Sequence, residues 1–140
     1  MGKYLGLDYG EKRVGVALTD EEKKFAFAEK TLVVKDEKDL LAQIREICQA
    51  ESVEKIILGW PVNFAGKKTA QTLIVEKFAG LLKENLAVKC EFQDERLTSR
   101  MSYSLFQGKN KKNKVNKNEI DAQSARIILA DYLDRLSLKT

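Results

Sequence analysis

Residues 3–20 read KYLGLDYGEKRVGVALTD, and the fold turns on how this stretch divides. Tyr4, Leu5 and Leu7 favour a strand, and the run closes on a single acid, Asp8. Tyr9-Gly10-Glu11-Lys12 then supplies turn residues. From Arg13 to Leu18, Val14, Val16 and Leu18 alternate with Gly15 and Ala17, the period of two that marks a strand with two unlike faces. A carboxylate at the exit of an apolar strand is costly to bury without a cationic partner or a metal ion. Asp is also a common turn former, so Asp8 reads either as the start of a hairpin turn or as a functional acid. Gly6, Gly10 and Gly15 leave the backbone open to the close approach of another group.

With 140 residues the chain can build one domain with a real core but not two, and a single domain over 1–140 is expected. No apolar run approaches the ~20 residues that span a bilayer. A strand begins almost at the N-terminus, so no signal peptide is expected. Cys48 and Cys90 lie in apolar surroundings without metal-ligand spacing, as buried free thiols of a reducing cytoplasm would. The chain has no histidine, which removes the usual general base and the Ser-His and Cys-His nucleophiles. Chemistry must fall to carboxylates, lysines, hydroxyls or a bound ion. A net charge of +4 leans weakly towards an anionic partner.

Glu29 to Val34 reads as a third strand, which completes an antiparallel meander. Asp36-Glu37-Lys38-Asp39 opens a helix with acids at the positive end of its dipole. Leu40, Leu41, Ile44, Ile47 and Cys48 fall on one face of that helix, which should end near Ala50 or Glu51. Lys55 to Gly59 is a short apolar run, as expected of a strand buried on both faces in a parallel sheet. The loop Trp60 to Gly66 follows at the position where open α/β sheets bind ligands; the plainer reading is a simple connection with Trp60 packed as core. Thr69 to Glu84 reads as a helix with Ala70, Leu73, Ile74, Phe78, Leu81 and Leu82 on its inner side.

Ala87 to Phe92 reads as the last strand, with Val88, Cys90 and Phe92 on one face. It runs into Asp94, Glu95 and Arg96, acids that could equally serve to compensate the dipole of a helix from Arg100 to about Gln107. Gly108 to Asn118 is almost devoid of apolar residues and reads as a mobile basic loop. Its lysines Lys109, Lys111, Lys112, Lys114 and Lys117, joined by Arg13 and Arg96, are candidate contacts to a phosphate backbone. The last helix is expected from Glu119 to about Leu136, capped by Asn118. Asp121 falls at N3, where an acid suits the helix N-terminus; it also shares a face with Ala125 and Ile128, so it reads either as a capping acid or as one directed towards the sheet.

The expected order β-β-β-α-β-α-β-α-α makes a mixed five-stranded sheet of the α/β class with helices on both faces, the first strand lying centrally beside the fourth. Asp8 and the Asp94/Glu95 pair then share the edge at the C-terminal strand ends, within reach of the last helix. Such a histidine-free, oxygen-rich set suits Mg²⁺ or Mn²⁺. A pair of such ions about 4 Å apart can activate water and stabilise the leaving oxygen in phosphodiester cleavage.

LGLDYGEKRVGVALTD, ILGWPVNFAGK, FQDERLTSR and the closing I-D-A-Q-S-A-R-I-I-L resemble, in order and spacing and over nearly the whole chain, the YqgF/RuvX family. That family is ribonuclease-H-like and is assigned to Holliday junction resolution or to processing of pre-16S ribosomal RNA. The resemblance implies a catalytic and metal-binding role for Asp8, for Glu95 (or Asp94) and for Asp121. It also implies a nucleic-acid partner, either a ribosomal RNA precursor processed at its 5′ end or branched DNA. Where family members carry G-L-P-x-x-x-D-G, Trp60 replaces the Leu and Ala65 the Asp, while Gly59, Pro61 and Gly66 match.

Two other classes compete. A D-x-G turn after a first strand also begins the sugar kinases and actin-like ATPases, but these need a second, similar half to close over the nucleotide. A nuclease fold without turnover would serve as a nucleic-acid-binding adaptor. A monomer or weak homodimer is expected, and symmetric cutting of a junction favours a dimer.

Overall fold

The computed structural model describes residues 2–95 and 117–138. The strands are β1 (Lys3–Tyr9), β2 (Arg13–Thr19), β3 (Ala26–Val33), β4 (Val53–Trp60) and β5 (Lys89–Asp94), and the helices are α1 (Glu37–Ala50), α2 (Ala70–Asn85) and α3 (Lys117–Leu138). The sheet order is β3-β2-β1-β4-β5. β1 is central, antiparallel to β2 and parallel to β4, and β5 runs parallel to β4. The expected mixed α/β sheet is therefore present, with β1, β4 and β5 ending on one edge. The expected helix 100–107, Arg96 and the basic stretch from Lys109 to Lys114 lie outside the described residues. No helix among the described residues is long and apolar enough to cross a membrane.

Strand alternation sorts the side chains onto two faces. Leu5, Leu7, Val14, Val16, Ile56 and Leu58 pack against α1 and α2 through Leu40, Ile44, Phe78 and Leu82. On the other face Ala17 and Ile57 meet Ala125, Ile128, Leu129 and Tyr132 of α3. Burying Leu5, Leu7, Val16 and Ile56 completely contributes about 1.5–3 kcal/mol for each side chain. All five residues expected on the inner face of α1 are buried there. Asp36 caps α1 by accepting from the Asp39 amide at 2.7 Å, which satisfies one of the orphan donors of the first turn.

The elements depart from the sequence expectations in four places. β3 begins at Ala26 rather than Glu29, because the turn at Asp20 closes early: its Oδ1 accepts from the amides of Lys24 and Phe25. β5 continues to Asp94, held by pairing with Gln93↔Gly59 and Asp94↔Trp60. α2 presents Thr72, Val75, Phe78, Ala79 and Leu82 to the core, and Leu73 is 56 % exposed. The helix is rotated from the expected face because Thr72 exchanges hydrogen bonds with the N-cap Thr69 and donates from its hydroxyl to the Pro61 carbonyl. α3 is described from Lys117, so Asn118 lies within the helix rather than at its cap, and Asp121 lies two residues further in than expected.

Cys48 and Cys90 are unbridged, Cys48 buried and Cys90 half-buried. Burial pushes both thiols up to about 11, which leaves them protonated and weakly reactive.

Candidate active site

The candidate site forms where the two strands flanking β1 each carry a glycine that lets α3 come close. Gly15 stands opposite Asp8 across the β1–β2 ladder. A Cβ at Gly15 would lie 1.9 Å from the Asp121 carbonyl oxygen, so only glycine lets the backbone of α3 rest at this point. Gly59 on β4 makes the second seat, since a Cβ there would fall 2.7 Å from Glu95 Oε2 and 2.6 Å from Ile128 Cδ1. Leu7 pairs with Leu58, which puts Asp8 beside Gly59. Asp8 of β1, Glu95 just after β5 and Asp121 of α3 thus surround two missing side chains.

Strand parity separates Glu95 from Asp94. Cys90 and Phe92 pack towards α1 and α2, and Asp94 follows them on that face. Glu91 and Gln93 point the other way: the Tyr132 hydroxyl donates to Glu91 at 2.6 Å and Arg135 Nε donates to Gln93 at 3.0 Å. Glu95 continues on this second face, against Gly59, and its amide donates to the Trp60 carbonyl at 3.3 Å. Between the two acids left open by the sequence, the geometry favours Glu95.

Asp8 carries the electrostatic signature of the site. Burial first, then the negative charges of Glu95 and Asp121, push its carboxyl up to about 8. Desolvation and like charge both disfavour its ionised form, as in sites that wait for a cation or a proton. Asp121 has found a cation of its own, accepting from Arg13 Nε at 2.7 Å. Arg13, expected as a phosphate contact, is therefore also the counter-charge of a candidate catalytic acid. Among the described residues no three acids or thiols close into a ready-made metal cage. The donor set is nonetheless of the right kind for a hard divalent ion, since it consists of carboxylate oxygens only. Without a cation the three carboxylates repel, and Asp121 turns to the guanidinium instead.

Beneath the C-terminal half of α3, sequence reasoning missed a second polar cluster. Lys55 Nζ donates to the Tyr132 hydroxyl at 2.9 Å and lies 3.2 Å from Glu91, while its ammonium sits 5.1 Å from the centre of the Tyr4 ring. Burial would lower the Lys55 pKa, but its hydrogen bonds to Tyr132 and Glu91 outweigh that and raise it to about 12. The cluster fixes α3 on the sheet and so fixes the position of Asp121. An isolated Lys in β4 and an isolated Glu in β5 carry no sequence signal that they face each other.

The RuvX family model, described as Holliday junction resolvase, matches residues 2–135. The chain belongs to the RuvX family. A relative from Flavobacterium psychrophilum, named "Putative pre-16S rRNA nuclease", is 37 % identical over 138 residues, covering 96 % of this chain and 98 % of its own. One from Syntrophomonas wolfei with the same name is 38 % identical over 136 residues, covering 97 % and 96 %. Among solved structures, Thermus thermophilus RuvC in complex with a Holliday junction substrate matches with a TM-score of 0.60 at 10 % identity, over 98 % of this chain and 96 % of that one. The yeast mitochondrial Holliday junction resolvase matches with a TM-score of 0.55 at 13 % identity, over 99 % and 80 %. These likenesses establish the ribonuclease-H-like fold for this RuvX chain. Nucleases of this family hydrolyse phosphodiester bonds.

Proposed function

We propose that this RuvX chain is a divalent-metal-dependent nuclease that trims the 5′ end of a pre-16S ribosomal RNA precursor, with Asp8, Glu95 and Asp121 as its catalytic and metal-binding acids. The observation that carries the reading is the convergence of Asp8, Glu95 and Asp121 on Gly15 and Gly59 at the end of the central strand, where burial and the charges of Glu95 and Asp121 push the Asp8 carboxyl up. A carboxylate so disfavoured in isolation gains most from a bound cation. Gly15 and Gly59, each too crowded for a Cβ, support the reading by seating α3 and Glu95 beside Asp8.

Bound there, Mg²⁺ or Mn²⁺ would supply an activated water and a counter-charge for the leaving oxygen. The chain's own part is to ionise Asp8 and Glu95 as ligands and to hold Asp121 on the α3 backbone against Gly15. Arg13, paired with Asp121 here, would be available to a substrate phosphate if Asp121 served as a metal ligand, because a guanidinium serves either anion. The lysines from Lys109 to Lys117, with Arg96, would carry the backbone of the nucleic acid past the site.

Junction resolution is the second reading, favoured by the description of the matching family; the names of the curated relatives favour ribosomal RNA. A junction cut symmetrically requires two copies of the chain, whereas a precursor end requires one. The proposed setting is the cytoplasm, where ribosomal RNA matures in the bacterial relatives. The test offers purified protein a pre-16S precursor and a four-way DNA junction side by side, each with Mg²⁺, Mn²⁺ or chelator. Metal-dependent cleavage of the precursor that is lost in Asp8→Asn is the expected result. Cleavage of the junction alone transfers the chain to resolution, and binding of either without turnover makes it an adaptor.

A further inference from the structure

The sheet ends at β3, and no strand among the described residues pairs with its outer side. Such an edge offers a row of backbone donors and acceptors to another chain. Of the five exposed large apolar side chains among the described residues, three lie on this strand or beside it: Phe25 is 64 % exposed, Phe27 53 % and Val33 63 %. Asp8, Glu95 and Asp121 gather on the α3 face of the sheet. On the other face, where β2 and β3 meet α1, a cavity of about 210 Å³ opens beside the edge.

The cavity has an apolar floor and an acidic mouth. Val16, Leu18, Leu32 and Ile47 line it and are all buried. Phe27 stands opposite Leu18 in the β2–β3 ladder, so it shares that face and carries the apolar floor out to the strand edge. Glu29, Glu46 and Glu51 line the cavity with a single cation, Lys30, in a chain whose net charge is +4. Such a mouth repels a phosphate backbone. It fits a long cationic side chain, whose methylene stem covers the floor while its charge stays among the carboxylates. A second copy of this chain fits the edge poorly. Two-fold symmetry keeps side chains on their own faces, so β3 pairs with itself about one central residue. That sets Lys30 against Lys30 or Glu29 against Glu29, and like charges directly opposite are destabilising. The register with β2 also shifts here and leaves Glu29 as an extra residue, a bulge that spoils flat self-pairing.

We propose that the β3 edge and this cavity form a docking site for an extended, basic segment of a partner protein, which adds a strand to β3 and seats an Arg or Lys side chain among Glu29, Glu46 and Glu51. Strand addition takes its affinity from main-chain hydrogen bonds and its specificity from pockets for alternate side chains. The edge supplies the first and the cavity the second. The surface lies across the sheet from Asp8, so a bound partner leaves the three acids open, and the proposal stands independently of the nuclease reading.

The test uses two short fluorescein-labelled peptides of alternating Thr and Val, one with Arg at a central Val position and one with Glu there. Binding is read by fluorescence anisotropy and the docking place by amide hydrogen exchange, on the full chain. The Arg peptide should bind and slow exchange at the amides of residues 26–33, and the Glu peptide should bind on the order of tenfold more weakly. Glu46 is exposed on α1, so Glu46→Lys should fold normally and should reverse this preference without changing nucleic-acid binding. Absence of binding at millimolar peptide overturns the proposal, as does equal affinity for the two peptides or an unchanged preference in Glu46→Lys. Protection of residues 26–33 that rises with protein concentration in the absence of peptide overturns it in favour of a second copy.

Discussion

Replacing Asp8 by Asn should stabilise the metal-free protein, and by an amount that grows with pH. The folded chain holds the Asp8 carboxyl at about 8, against 3.8 for the free side chain. Between those values the folded state keeps a proton that the unfolded state has released. Stability therefore falls as pH rises from about 4 to about 8 and levels off above that, with a slope of at most about 1.4 kcal/mol per pH unit from this group. From pH 4 to pH 7 the upper bound is about 4 kcal/mol. Asp8 keeps some contact with solvent, and screening there brings the expected effect to on the order of 2 kcal/mol. Asp20, Glu54 and Glu91, held low chiefly by hydrogen bonds from the Lys24 amide, Lys23 and Tyr132, act in the opposite sense. They are common to both proteins and cancel in the difference. Asn keeps the shape and loses the charge, so its advantage should be near zero at pH 4 and about 2 kcal/mol at pH 7. For a chain of this size that is on the order of 5–10 °C in Tm. The assay is thermal unfolding in chelated buffer from pH 5 to pH 8, repeated with Mg²⁺. The ion should raise the wild-type Tm, since it binds only the folded state, and should have little effect on the variant. A gap that does not change with pH, or a wild type more stable than the variant at pH 7, would refute the electrostatic account of the site.

Gly15→Ala drives a Cβ into the Asp121 carbonyl and should cost about 3 kcal/mol by urea unfolding, with cleavage lost as Asp121 moves. Gly80→Ala, where nothing lies within 4 Å, should instead stabilise α2 by about 0.5–1 kcal/mol; similar behaviour in the two variants would contradict the close seating of α3. Arg13→Gln should cost under about 1 kcal/mol, because the pair with Asp121 is partly exposed, while tightening divalent binding in calorimetric titration; weaker metal binding would mean that Arg13 does not compete for Asp121. Changing Lys109, Lys111, Lys112, Lys114 and Lys117 to glutamine should weaken all nucleic-acid ligands alike and flatten the salt dependence. Equal affinities at several salt concentrations would reduce these lysines to solvated surface.

The sheet was legible because hydrophobic period and strand exits agree in one arrangement: a two-faced β2, the apolar run Ile56-Ile57-Leu58 in β4 and acids at the ends of β1 and β5. Gly15 was readable as a point of close approach, but only the helix contact identifies what approaches. The face of α2 was not legible, because apolar residues ring that helix. A buried threonine, saved by its bond to the Pro61 carbonyl, displaces Leu73 into solvent. Nor could the sequence choose between Asp94 and Glu95, since a strand end uncertain by two residues leaves parity undetermined. Pairing of Asp94 with Trp60 settles the parity. The ion pair of Arg13 with Asp121 joins residues 108 positions apart, a separation at which neither residue signals the other.

The most direct test of the three-acid site is the initial rate of precursor cleavage against pH at saturating Mg²⁺, repeated with Mn²⁺, Ca²⁺ and excess EDTA. Carboxylates must be ionised to hold the metal, and metal lowers the pKa of bound water. With no histidine in the chain, the rate should be low in acid and rise continuously towards alkaline pH, without an inflection near 6.5. Mn²⁺ should serve at least as well as Mg²⁺, Ca²⁺ poorly, and EDTA should abolish the reaction. Full activity in excess EDTA would contradict the metal mechanism, and with it the roles given to Asp8, Glu95 and Asp121.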